Sequence, residues 1–174
     1  LQKKPLKELI PLFEAEARQI KSKNFKAMKM KVGLGPKEDL ELVGAVRKVI
    51  GEDYKLMVDA NHAYNITDAL YVGRGLDDLG IYWFEEPITP EDYEGYKELK
   101  NKLKTNIAGG EAEFTKWGWR HLIQNRCIDI AQPEVCGLGG ITEYLKVVAL
   151  AQANFIPVVN HVWGSALSIA VNLH

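Results

Sequence analysis

Residues 55–87 read KLMVDANHAYNITDALYVGRGLDDLGIYWFEEP. Two short β-rich runs, Lys55–Asp59 and Ile81–Glu85, bracket an amphipathic stretch of helical length, and each run ends in a carboxylate. The same alternation extends in both directions. Strand candidates are Phe25–Val32, Lys55–Asp59, Ile81–Glu85, Thr105–Gly109, Ile128–Gln132 and Ile156–His161. They recur about every 25 residues, the spacing of βα units that build parallel sheets. Pro36 opens a helix with apolar positions Leu40, Val43, Val46 and Ile50, and Gly51 closes it. Thr89-Pro90-Glu91-Asp92 resembles a capping box with proline in the first helical position. Ahead of the first strand, Leu9, Phe13, Ala17 and Ile20 mark one helix face, and Lys3, Lys4, Lys7, Lys21 and Lys23 read as solvated charges rather than a nucleic-acid patch.

Polar groups stand at the C-terminal end of all six strands. An open doubly wound sheet concentrates its site at one switch point, whereas a barrel gathers every strand end around one axis. The predicted fold is therefore α/β, a (β/α) TIM-type barrel domain. A complete eight-unit barrel needs about 250 residues, so residues 1–174 are expected to hold six of the eight units. The chain begins at Leu1 and stops at His174 within an apolar helical pattern of Ala166, Ile169, Ala170 and Leu173. That pattern leads us to expect an internal piece of a longer protein.

Composition sets the class. The chain has 22 basic and 23 acidic side chains, 47% apolar residues and 26% charged ones, which excludes disordered, collagen-like and strongly basic nucleic-acid-binding classes. No run approaches the roughly 18 apolar residues of a membrane span, and LQKKPLKELI lacks the apolar centre of a signal peptide. Cys127 and Cys136 have no C-x-x-C spacing and read as free thiols of a reducing cytoplasm.

The strand ends carry the candidate chemistry. Asp59, Glu85 and Glu111 are spaced 26 residues apart, one βα unit each, so they would stand on adjacent strands. One such acid alone is most simply a helix cap or a surface charge. Three together repel unless a cation neutralises them, and hard oxygen ligands suit Mg2+. Asn61, two residues after Asp59, is expected on the same strand face. Lys29 and Lys31 share a face opposite Met28, Met30 and Val32. Either they decorate an edge strand, or they point inward, where two ammonium groups side by side depress each other's pKa and one becomes a base. His161 ends the last strand, as a structural residue or as a second acid–base group oriented by Glu134. His62 and His121 read as structural. The run GLGG at 137–140 reads as a tight turn before a helix, and the tryptophans as packing, with Trp163 a possible pocket wall.

Taken in order, K-x-K, D-x-N, E-E-P, G-G-E, Q-P-E…G-G-I-T and N-H resemble the enolase superfamily, specifically its mandelate racemase subgroup, from about residue 20 onward. The resemblance implies a barrel running from its second strand to the helix after its seventh, without the N-terminal capping domain. It implies Mg2+ ligands Asp59, Glu85 and Glu111, a general base at Lys31, Lys29 beside the substrate carboxylate, and His161 as the histidine of a His–carboxylate dyad. The subgroup carries aspartate where this chain has Glu134.

The same resemblance implies a mechanism. Mg2+ and Lys29 bind a carboxylate and stabilise the enediolate formed when Lys31 or His161 removes its α proton. The pieces GGEAEFT and HVWGSA look most like acid-sugar dehydratases. We therefore expect a cytoplasmic hydro-lyase, homo-oligomeric at full length, that removes water from a small-molecule sugar acid to give a 2-keto-3-deoxy acid, with Asn61 and Trp163 near the substrate. A racemase or epimerase using the same site is the alternative. The cycloisomerase branch is disfavoured, because those enzymes, which this chain resembles in K-x-K, place a second catalytic lysine on the sixth strand and IDIAQPE carries none. From a different class, the piece can be a non-catalytic barrel fragment or interaction module.

Overall fold

The computed structural model describes residues 4–174; Lys3 of the solvated lysine set lies outside them. Five parallel strands alternate with helices along the chain, in two compact units. One unit runs to Ile88 and adds Leu103–Thr105; the other holds Thr89–Lys102 and Asn106–His174.

In the first unit the order is α1 (Leu6–Ser22), β1 (Ala27–Lys31), α2 (Pro36–Ile50), β2 (Lys55–Asp59), α3 (Ile66–Asp78) and β3 (Trp83–Glu85). Helix α2 has the limits that its punctuation predicts. Pro36 needs no N–H partner at the first helical position, and Gly51 adopts φ +84° while donating its N–H to Arg47 O at 3.0 Å. Its buried face includes Leu42 as well as Val43, Val46 and Ile50, while Leu40 is only half-buried. Arg47 is buried in this helix and donates to the carbonyls of Leu79, Gly80, Gly51 and Tyr54, tying together the chain segments that follow α2 and α3.

Strands β1 and β2 pair in register from Ala27–Lys55 to Lys31–Asp59, and β2 continues onto β3 through Asp59–Glu85. Residues level in neighbouring strands share a face. Lys31, Asp59 and Glu85 therefore form one row.

The second unit contains α4 (Tyr93–Lys102), β4 (Asn106–Gly109), α5 (Thr115–Gln124), β5 (Ile130–Ala131), α6 (Ile141–Ala153) and α7 (Ala166–Leu173). Helix α4 begins later than its sequence suggests. Thr89 and Pro90 lie in a turn, and Asp92 caps the helix by accepting from the Gly95 N–H at 2.9 Å. The Thr89 hydroxyl is instead taken by Glu91.

The sixth predicted strand, Ile156–His161, is reduced to two isolated parallel bridges, Ala131–Val158 and Glu134–His161. Pro133 and Pro157 each lack the N–H that a continuous ladder needs at those positions. GLGG forms the expected turn, with Gly139 at φ +122° and Gly140 at φ +85° immediately before α6. Cys127 is buried, Cys136 is exposed and both are free thiols. No helix among the described residues is long and apolar enough to cross a membrane.

Candidate active site

In the first unit, alternation along β1 buries Met28 and Met30 and turns Lys29 and Lys31 to the other face. There Lys29 Nζ donates to Asp59 Oδ2 at 3.0 Å and to Glu85 Oε1. Lys31 Nζ donates to Asp59 Oδ2 at 2.5 Å and to Asn61 Oδ1 at 2.6 Å. Asp59 and Glu85 are fully buried, whereas the Lys31 side chain is 59% exposed. Two carboxylates taken out of water side by side require positive charge, and the lysines provide it.

Electrostatics follow from that neighbourhood. Burial lowers the Lys29 pKa, but the charge and hydrogen bond of Glu85, with Asp59 behind it, outweigh burial and raise it. This corrects the expectation that paired lysines depress each other, since the nearby carboxylates dominate at Lys29. Burial pushes Asp59 up, yet the hydrogen bond from Lys31 and the charge of Lys29 hold its carboxyl below the ordinary range.

Asn61 reaches Lys31 for a different reason from the one expected. It lies beyond the end of β2 at φ +42°, so a left-handed turn and not strand alternation aims it, while its N–H donates to Asp59 Oδ1 at 3.1 Å. Trp83 has a part that its sequence reading as packing missed. Its indole N–H donates to Glu85 Oε2 at 3.0 Å, and the W-F-E spacing of two along a strand is the signal that could have revealed it. His62 meets the fully buried Glu86, Nε2 to Oε2 at 2.6 Å.

The second unit builds a separate cluster. His161 Nδ1 lies 3.0 Å from Glu134 Oε2, and His161 Nε2 lies 3.0 Å from Glu111 Oε2. The isolated bridge between Glu134 and His161 aligns their backbones, so the longer glutamate reaches the ring. The Trp163 backbone N–H also donates to Glu134, at 3.1 Å, while the Trp163 residue is 79% exposed. Glu111 thus pairs with His161, in a different unit from Asp59 and Glu85. His121 sits in α5 stacked on Tyr93.

Residues 12–174 match the family model described as enolase C-terminal domain-like. The chain belongs to that family. As a partial enolase C-terminal barrel domain it is 38% identical over 159 residues to D-galactarolactone cycloisomerase of Agrobacterium fabrum, covering 91% of this chain and 42% of that protein. It is 38% identical over 169 residues to arabinonate dehydratase of Saccharolobus solfataricus, covering 97% and 45%.

Among solved structures, the 3,6-anhydro-D-galactonate cycloisomerase from Zobellia galactanivorans superposes with TM-score 0.93 at 46% identity, over 95% of this chain and 47% of that one. L-Talarate dehydratase from Polaromonas sp. JS666, complexed with Mg and L-glucarate, gives TM-score 0.86 at 30% identity, over 99% and 47%. The chain spans less than half the length of these relatives.

For an enolase-type metal, the donor chemistry of the first unit fits. Asp59 and Glu85 are adjacent, buried, anionic oxygen donors that already share one cation, the Lys29 ammonium, and such donors suit Mg2+. Among the described residues no group of three or more His, Cys, Asp or Glu side chains is arranged to hold a metal ion.

Proposed function

We propose that the whole protein is a Mg2+-dependent sugar-acid dehydratase, a hydro-lyase, of which residues 1–174 supply the barrel from its second strand to the helix after its seventh. The observation that carries this reading is the Lys29–Lys31–Asp59–Glu85 network. It sets two ammonium groups on one strand face against two buried carboxylates, with Lys31 open to solvent. The proposed metal ligands are Asp59 and Glu85, joined by Glu111 on sequence spacing and resemblance alone. When bound, Mg2+ supplies fixed positive charge opposite a substrate carboxylate.

The residues divide the remaining work. Lys29 binds the carboxylate, and Lys31 and His161 share the acid and base roles, assigned between them by the configuration at C2. Glu134 orients the His161 ring, while Asn61 and Trp163 contact the sugar. Removal of the C2 proton leaves an electron pair that forms the C2–C3 double bond as the C3–O bond breaks. The departing oxygen takes a proton and leaves as water, and the enol tautomerises to the 2-keto-3-deoxy acid. The two free thiols carry the expectation of a cytoplasmic protein, and the resemblance that of a homo-oligomer.

A second reading has a specific observation in its favour, because the 46%-identical structure and one 38%-identical relative are cycloisomerases. If the C3 oxygen belongs to an internal ether, the same elimination opens the ring and every atom stays in the product. One assay separates the readings. The whole protein is incubated with Mg2+ and D-gluconate, D-galactonate, D-arabinonate or 3,6-anhydro-D-galactonate, and keto acids are trapped with a carbonyl reagent and weighed by mass spectrometry. A product lighter by one water supports dehydration, and an isobaric one supports cycloisomerisation. C2 exchange in D2O without a keto acid assigns a racemase or epimerase. No exchange with any acid favours the non-catalytic reading.

A further inference from the structure

Glu134 is held far more tightly than a simple partner of His161 requires. Its Oε2 takes His161 Nδ1 at 3.0 Å and the Trp163 N–H at 3.1 Å. Its Oε1 takes the Cys136 N–H at 3.1 Å and the Ser168 hydroxyl at 3.4 Å. Three of these four donors come from loop backbone or from His161 itself. The fourth, Ser168, is a buried side chain on α7, 34 residues further along the chain.

We infer that Ser168 is a positioning residue, whose hydroxyl locks the Glu134 carboxylate in the one orientation that fixes the His161 ring. The inference rests on His161 being an acid–base group of the proposed reaction. A glutamate has one more rotatable bond than the aspartate found here in the resembling subgroup, and that freedom must be removed for the carboxylate to hold a ring in place. An ionised carboxylate only accepts. Against an ionised Glu134, Ser168 therefore donates and the Nδ1 facing Oε2 carries a proton, while the ring held by that contact turns Nε2 to within 3.0 Å of Glu111 Oε2.

The geometry also isolates the hydroxyl's role from the helix cap. Helix α7 is capped by Ser165 Oγ, which accepts from the Ser168 backbone N–H at 3.3 Å. Ser168→Ala keeps that backbone bond and improves helix propensity, so it deletes the Glu134 contact alone.

The test is the 1H–15N imidazole spectrum of the whole protein, with histidine signals assigned through His161→Asn. We expect a slowly exchanging His161 Nδ1 proton in the wild type and in Ser168→Thr, which keeps the hydroxyl, and exchange at least about 10-fold faster in Ser168→Ala. Equal exchange in Ser168→Ala and wild type overturns the inference. So does loss of protection in Ser168→Thr as complete as in Ser168→Ala, or a wild type with no protected Nδ1 proton. If the contrast holds while the wild type transforms and exchanges none of the sugar acids, the proposed chemistry falls and the positioning of His161 stands.

Discussion

The two clusters reach comparable order by opposite means. In the first unit, Lys29, Lys31, Asp59 and Glu85 sit on regular strands, and the β1–β2–β3 register alone sets Lys31, Asp59 and Glu85 level. In the second unit, His161 stands where the strand has dissolved into single bridges, and Glu134 is fixed by two loop amides and a helix hydroxyl. Charge compensation is direct in the first, ammonium against carboxylate. In the second it runs through a ring that is ionic only when protonated. The first cluster is held by charge balance, the second by individual hydrogen bonds from loop amides and a hydroxyl.

The largest effect we expect that breaks this comparison is Lys31→Ala. It should lower keto-acid formation by the whole protein between about 10²- and 10⁴-fold, the usual worth of a positioned acid–base group, and should lower thermal stability less than loss of Lys29 does, because its side chain is largely exposed and Asp59 keeps the Lys29 ammonium. Lys29→Met tests charge balance itself. With chelator present it should cost about 3 kcal/mol in urea unfolding, since two buried carboxylates lose a shared cation. Added Mg2+ should recover most of that loss; stability unmoved by both changes would show that the carboxylates do not depend on the lysine.

Glu134→Asp sharpens the other side. Although it restores the residue typical of the resembling subgroup, the shorter arm cannot keep all four donors, and turnover should fall roughly 10-fold, less than the order of 10²-fold that a 1 Å misplacement brings. Away from both clusters, Asp92→Ala should cost about 1 kcal/mol as a lost cap, with Thr89→Ala nearly silent in the same thermal melt.

The smallest effect is a pH dependence on α6. Glu143 is held down to about 2, first by the Lys146 ammonium and then by the Lys116 N–H. A depressed carboxyl stabilises the fold above its ordinary pKa and loses that contribution as pH falls toward the folded value. The difference between wild type and Glu143→Gln should therefore be full at neutral pH and vanish near pH 2.

Much of the first unit was legible. The limits of α2 followed from Pro36 and Gly51, and the facing of Lys29 and Lys31 from alternation along β1. Trp83 was legible but unread, its indole sharing a strand face with Glu85. What escaped was set by backbone leaving the regular regions. Asn61 at φ +42° reaches Lys31 from a turn, α4 takes its cap from Asp92 in place of Thr89, and two prolines break the sixth strand.

Periodicity and unit spacing by themselves determined the alternating α/β class, the strand-end carboxylates and the paired lysines, because a regular backbone turns sequence interval into direction. Only the tertiary structure decided that Lys29 is raised and not depressed, since burial and two carboxylates from other strands set its charge energy. It also decided that Glu134 is clamped by Ser168 from a distant helix. Hydrogen bonds between segments remote in sequence depend on where the folded backbone places their atoms, and no local pattern encodes that.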